Sequence, residues 1–510
     1  MNPKELKTKY LSYDYKLKGE FQGDNYKREE TLTRAERYAG YTLPNIFPDD
    51  PLMEYDEMQN DFTSFGAQAT INLTNKIMMA LFQPSNPFFR AELTPEQMAQ
   101  VLDAMPQLKE AQVKERLASA ERDAMRKGEN LNARVVMTNI ISQLIITGNS
   151  LLFMPEGENL QNYSLRDYTI ERDLRGNMKK LIIRETKAVT SLEDDLRALA
   201  LSEGYEDTAE ISLYTCVLKV KKNKYIVWQE MEDLCYCHKK LGVYNAKTLP
   251  YIPLVWDLCR NKDYGTGLVE NYAGDFHMLS TLAEASLDYT TIITDVKVLV
   301  DPAGSADVRE LTESPSGAYV NGREEDLHVH TASVQEASQF IENRIQAIER
   351  RLAAAFLLNS QVTRDAERVT AQEIRLQALE LEGSLGGVYS RLANELQKPY
   401  AIRLLALQGA IFSDIEPVIV TGLDSLSRSS ELDRTRMFLQ DLALLTELPE
   451  SLQQKVDYEG IVAVLGAGHG VKYQTFLKST SEQEKDKKAD ANAEANAEGQ
   501  KARAVAAATQ

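Results

Sequence analysis

Few residues in this chain combine the types and spacing that chemistry requires. Cys235-Tyr-Cys237-His238 gathers potential zinc ligands in a short run. A structural zinc site closes with Cys-x₂₋₄-Cys spacing and a fourth ligand, for which Cys259 is the conceivable partner. With one residue between them in an extended strand, both thiols face the same side, so the pair reads as small semi-apolar strand residues and no metal is assigned. His328 and His330 alternate in the same way and could respond to a pH of about 6, although such a pair more often belongs to a sheet face. Gly466-Ala-Gly468-His-Gly470 resembles a dinucleotide loop only in its glycines. It lacks a clear strand before it and a clear helix after it, and it reads as an ordinary loop.

No Gly-x-x-x-x-Gly-Lys-[Ser/Thr] loop and no His-Glu-x-x-His pair occurs, and no Ser/His/Asp or Cys/His set can be assembled. The expectation is a protein with no catalytic residues and no cofactor, hence not an enzyme. One polar stretch carries a binding reading. Gln361, Thr363, Arg364, Arg368 and Thr370 could set guanidinium and hydroxyl groups on phosphate oxygens without reading bases. Pairing inside the chain with Asp365, Glu367 or Glu373 competes, and on spacing alone it comes first. Arg344, Arg350 and Arg351 are balanced by Glu336, Glu342 and Glu349, as on a solvated face.

The 510 residues suffice for two to four domains, and 43% hydrophobic residues can fill sizeable cores. The formal charge of −18 excludes a surface that attracts nucleic acid or an acidic membrane globally, so any DNA contact must be local. Cys216, Cys235, Cys237 and Cys259 are sparse and read as reduced thiols of a cytosolic compartment. No run reaches the ~18 apolar residues of a membrane helix; even Ile140 to Phe153 is interrupted by Ser142, Gln143, Asn149 and Ser150. Insertion into a membrane is not expected.

Periodicity predicts the elements that must carry these residues. The first forty residues mix both charges with scattered aromatics, as a solvated helix laid along a larger body would. Helices are predicted over Ala67–Phe82, Pro95–Lys127 and Leu131–Thr147. From Leu151 to about Val255, β-branched and aromatic runs separated by turns predict a small sheet or barrel, with one helical insertion over Thr190–Glu203. A broadly apolar helix follows from Glu270 to Val296, including Met278, Leu282, Tyr289, Ile292, Ile293 and Val296. So wide an apolar face needs neighbours on several sides. Asp301 to Ser333 is an acidic, loop-rich excursion, and Gln335–Leu358 places Phe340, Ile341, Ile345, Ile348, Leu352 and Phe356 on one helical stripe. A helix from Thr370 to about Leu407, bent near Gly383, Gly386 and Gly387, an extended Val418-Ile-Val420 and a helix over Glu431–Leu445 complete the series. The Ala/Glu-rich end from Lys478 suits either a weak helix or a disordered tail. The fold class is α+β, mostly α.

Several runs resemble, in order, the head-to-tail connector (portal) proteins of T7-like short-tailed bacteriophages. They are Gly148-Asn-Ser-Leu-Leu-Phe-Met-Pro-Glu156, Pro250-Tyr-Ile-Pro253, Asp301-Pro-Ala-Gly304, Leu358-Asn-Ser360, Glu367-Arg-Val-Thr-Ala-Gln-Glu-Ile-Arg375 and Leu385-Gly-Gly-Val-Tyr-Ser390. The resemblance implies a homo-oligomeric ring of about twelve subunits at one vertex of the virion, assembled in the bacterial cytoplasm around a channel for genome packaging and ejection. It implies a helical wing at 1–150, a β part of the wing at 151–268, stem helices at 269–300 and 335–358 and a clip at 301–334 between them. A tunnel-loop region at 359–372, a long wing helix and connection at 373–425 and a crown with a flexible tail at 426–510 would follow. Implied partners are double-stranded DNA without sequence preference, the major capsid protein and scaffold, the packaging terminase, and tail adaptor or nozzle proteins.

On that resemblance Arg364 and Arg368 become channel candidates. Ile345, Ile348, Leu352, Ile292 and Val296 become subunit-packing candidates, and Asp307, Glu310, Glu313, Arg323, Glu324 and Glu325 candidates for docking terminase and tail. About twelve copies at −18 each would repel phosphate broadly, while an isolated arginine ring would let duplex slide. The alternatives are a tail adaptor or other non-conduit structural protein, or a packaging enzyme; the missing phosphate loop argues against a translocating ATPase.

Overall fold

The structure, a computed structural model, describes residues 17–47, 61–82, 87–301 with short gaps, parts of 307–330, 335–358, 383–408 with one gap, and 417–419. The chain forms two units, Met1–Gly422 and Leu423–Gln510. All of the second except Gln440 lies outside the described residues, and with it the helix expected at 431–445, the Gly466–Gly470 run and the tail.

The N-terminal part is helical: α1 (Leu17–Lys27), α2 (Glu29–Tyr41), α3 (Phe65–Leu81), a short strand β1 (Phe89–Ala91), α4 (Pro95–Ala104), α5 (Glu110–Asn130) and α6 (Ala133–Thr147). The stretch expected to be helical over Pro95–Lys127 carries α4 and α5, and residues 105–109 between them lie outside the described residues. Helix α6 is buried at Ala133, Val136 and Met137 and at every residue of Ile140–Thr147, and the other helices gather round it.

Beyond α6 the chain builds two antiparallel sheets from β2 (Asn149–Phe153), β3 (Gln161–Tyr163), β4 (Tyr168–Arg172), β5 (Met178–Ala188), β6 (Glu210–Lys221), β7 (Lys224–Met231), β8 (Leu234–Cys235), β9 (Gly242–Asn245) and β10 (Tyr251–Val255). One sheet runs β10-β2-β3; the other runs β4-β5-β6-β7-β8, with β9 also paired to β7. The helical insertion is α7 (Asp194–Ser202), between β5 and β6. Helix α1 departs from the solvated helix expected at the N-terminus. Its Leu17 and Phe21 are fully buried against Ile182, Tyr214, Cys216, Ile226 and Trp228 of the larger sheet, each worth about 2 kcal/mol. Buried Glu230 accepts the Leu17 backbone N–H at 2.8 Å and the Trp228 indole N–H at 3.1 Å, fixing where the helix begins.

The remaining elements are α8 (Leu268–Asn271), α9 (Ala273–Thr294), β11 (Lys297–Val300), α10 (Val308–Glu313), β12 (Leu327–His330), α11 (Gln335–Ala355), α12 (Gly387–Leu392), a π-helical turn at Ala393–Gln397, α13 (Lys398–Ala406) and β13 (Pro417–Ile419). The expected bend near the glycines takes another form among the described residues: Gly386, at φ 52°, precedes the start of α12, and the irregular turn comes later, at the π segment. Strand β13 returns to pair with β1, Phe89 opposite Ile419.

Helical and β parts are joined where α6 ends. Gly148 adopts a left-handed conformation (φ 76°), and any Cβ there would overlap the Thr266 backbone. A Cβ on Gly267 would stand 2.6 Å from the Ile145 carbonyl oxygen and 2.7 Å from that of Ile146. The buried Asn149 amide bridges the two segments: its Nδ2 donates to the carbonyls of Thr147 and Gly265 at 2.9 Å, and its Oδ1 accepts the Gly265 N–H at 2.8 Å. Asn149→Ala leaves those buried groups unpaired and is expected to cost about 2–4 kcal/mol in chemical denaturation; a loss below the error of the measurement would contradict this account.

Burial holds the Glu230 carboxyl above its ordinary value of 4.5, while the bonds from Leu17 and Trp228 pull it down. The folded chain therefore takes up this proton at a higher pH than the unfolded chain does. The contribution is fully present below the unfolded value and is lost as pH rises through the folded one. The stability of the wild type relative to Glu230→Gln should accordingly decline as pH rises above 4.5, read by denaturation at each pH; a flat or rising difference would overturn the assignment.

Candidate functional site

Helices α9 and α11 form an antiparallel hairpin whose base is fastened to the core. Phe276 meets Phe356 edge to face at 5.6 Å, Tyr272 meets the same ring at 6.0 Å, and Arg351 pairs with Asp275 at 2.7 Å. Helix α3 holds the end of α11. Leu357 stands at φ 55°, the left-handed position of a Schellman turn in which Leu358 N–H donates to Ala353 O at 2.7 Å and Leu357 N–H to Ala354 O at 3.3 Å. Buried Lys76 donates to the Leu357 carbonyl at 2.6 Å, and Asn72 donates to those of Phe356 and Leu357 at 3.3 and 3.1 Å. A cation and an amide donor thus sit at the negative end of the helix and satisfy its last carbonyls.

Farther out, the hairpin has less to lean on. Ile341, Ile348 and Leu352 are buried, whereas Met278 is 45%, Leu287 59% and Phe340 65% exposed. Phe340 is therefore off the stripe on which the periodicity placed it. Ile348 and Leu352, expected to pack between subunits, are at 2% and 0% already enclosed by their own chain, and Ile345 is half-buried. Ile292 falls in α9, while Val296 lies outside the described residues.

At the tip, β11 and β12 pair antiparallel, Lys297 opposite His330 and Leu299 opposite His328. Both histidines are thus in a strand. Asp307 caps α10, accepting the Arg309 N–H at 2.9 Å. Asp307, Glu310, Glu313 and Arg323 are exposed; Glu324 and Glu325 lie outside the described residues, as do Arg364 and Arg368. Cys235 is in β8, Cys259 is exposed, and Cys237 and His238 are outside the described residues. Cys216 is buried, and that burial raises its thiol pKa.

Among the described residues, the group with metal-binding geometry is Glu20, Asp24 and Glu171. The chain's own cations answer all three, with Lys180 on Glu20, Lys27 on Asp24 and Lys179 on Glu171. A cleft of about 620 Å³ is lined by Arg172, Arg391, Glu395 and Tyr251 among others. No described helix is long and apolar enough to cross a membrane.

A hairpin anchored at one end, with apolar side chains still in water along its length, is the makeup of a structural assembly subunit. The chain belongs to the bacteriophage head to tail connecting proteins, whose family model matches residues 15–476. Its function is that of the family, the joining of head to tail in a bacteriophage. It is 35% identical over 418 residues to the portal protein of Escherichia phage T7, covering 79% of this chain and 77% of that one. It is 31% identical to the portal protein of Enterobacteria phage SP6 (90% and 89% covered) and 31% to that of Pseudomonas phage phiKMV (89% and 90%). A chain in the virion of a native gene transfer agent particle overlaps it loosely, at a TM-score of 0.32 and 12% identity over 77% of this chain and 93% of that one.

Proposed function

We propose that this protein acts as a closed ring of about twelve copies at one vertex of the phage head, with an axial channel through which double-stranded DNA enters and leaves. The observation that carries the reading is the hairpin's unburied apolar set, Met278, Leu287 and Phe340, on two helices that cover each other on one side only. In a ring each hairpin gains a neighbour on either flank. The role is structural, with no catalysis: the chain is a conduit and a platform. The acidic tip, with Asp307, Glu310, Glu313, Arg323, Glu324 and Glu325, would receive the terminase during packaging and tail adaptor or nozzle proteins afterwards. The body would face the major capsid protein and scaffold.

An acidic ring suits a channel, since fixed cationic contacts release counterions and hold DNA in place. Arg364 and Arg368 are the proposed exceptions, touching phosphate without reading sequence. Native mass spectrometry and negative-stain imaging of the purified chain should show rings with an axial hole; a chain that remains monomeric at every concentration refutes the reading. The Arg364→Ala, Arg368→Ala double variant should form rings of wild-type size yet retain several-fold less DNA during packaging. Unchanged packaging would remove these arginines from the channel.

A further inference from the structure

The two flanks of the hairpin differ in charge and in apolar content. On α11, Phe340, Arg344, Ala347 and Arg351 recur at i, i+4, i+7 and i+11 and so share one flank. Because Arg351 pairs with Asp275, the matching flank of α9 is the one bearing Asp275, Met278, Leu282 and Tyr289. This side exposes Phe340, Met278 and Tyr289 to 65%, 45% and 36%. Its one cation without an ion pair among the described residues is Arg344, which lies 6.0 Å from its own Phe340 ring. The opposite flank carries Glu284, Leu287 and Asp288 on α9 and Glu342 and Glu349 on α11. No ion pair engages any of these four acids among the described residues, and Leu287 is 59% exposed.

We propose that the cationic, aromatic flank of one copy packs on the acidic flank of the next, with Phe340 against Leu287 and Arg344 paired to Glu284. This rests on the ring reading above and adds the surfaces that close it. In the proposed ring the hairpins stand along the axis, and rotation about that axis leaves heights unchanged, so the pairing takes partners of like height. Phe340 is eleven residues from Arg351 and Leu287 twelve from Asp275, which puts them about 17 and 18 Å above that pair. Arg344 and Glu284, seven and nine residues away, differ in height by only about 3 Å. The apolar contact supplies the attraction. The charges choose which flank meets which, and they disfavour like flanks approaching each other.

Arg344→Glu should lose most of the rings that wild type shows in native mass spectrometry, and adding Glu284→Arg should restore them several-fold. Both positions are exposed, so the monomer's fold tolerates the exchange. In a second arm, a Phe340→Cys chain and a Leu287→Cys chain, each also Cys259→Ser, are mixed and oxidised. A disulfide-linked heterodimer should form that neither chain gives alone. If wild-type rings form but either the rescue or the mixed cross-link fails, the flank pairing is overturned and the ring reading stands. If the wild type forms no rings, the ring reading itself falls, and the pairing with it.

Discussion

Three backbone segments meet at Gly148, Gly265 and Gly267 more closely than any side chain permits, and the layout of the first unit follows from that meeting. The end of α6 touches the segment leading into α8, and the Asn149 amide satisfies the carbonyls and the N–H that would otherwise be buried unpaired. Helix α8, and α9 after it, leave the body from this point. The Trp256 N–H adds a further tie by donating to the Gly148 carbonyl at 2.9 Å, which brings the end of β10 to the same spot. The most buried helix, the smaller sheet and the hairpin thus share one joint.

Rigidity at the base contrasts with exposure farther out. The foot of α11 is closed by a Schellman turn, two donors from α3 and the aromatic contacts of Tyr272, Phe276 and Phe356. Toward the tip, among the described residues, Met278, Leu287 and Phe340 of the two helices stay exposed. A protein that works alone would gain little from a long hairpin with phenylalanine and leucine in water. In the ring proposed above, each copy would fold on its own base and complete its surface on meeting the next.

The clearest chemistry in the chain concerns attachment. Glu230 fixes the beginning of α1, and the acidic trio of Glu20, Asp24 and Glu171 is met by lysines of the same chain. Glu230 and the Glu20–Lys180 pair hold α1 to the larger sheet. They explain why a segment with the composition of a solvated helix is an integral layer: two apolar side chains, Leu17 and Phe21, outweigh the polar majority around them.

Periodicity read the elements well, because a helix or strand records its buried face in the spacing of a few consecutive residues. The helices at 67–82 and 131–147, the β region with its helical insertion, and the pair of long helices around an acidic tip were all legible in that way. The ordered run of matching segments, Gly148-Asn149-Ser150 among them, disclosed the family as well. Folding alone decided which apolar residues of the hairpin are covered: Ile348 and Leu352 are used up inside the chain, while Phe340 and Leu287 are left over. It also decided that Asn149 would bond to Gly265, 116 positions away. The reason is that exposure and long-range hydrogen bonding depend on what lies across the gap, and a neighbour brought in from distant sequence leaves no mark in the local pattern of either partner.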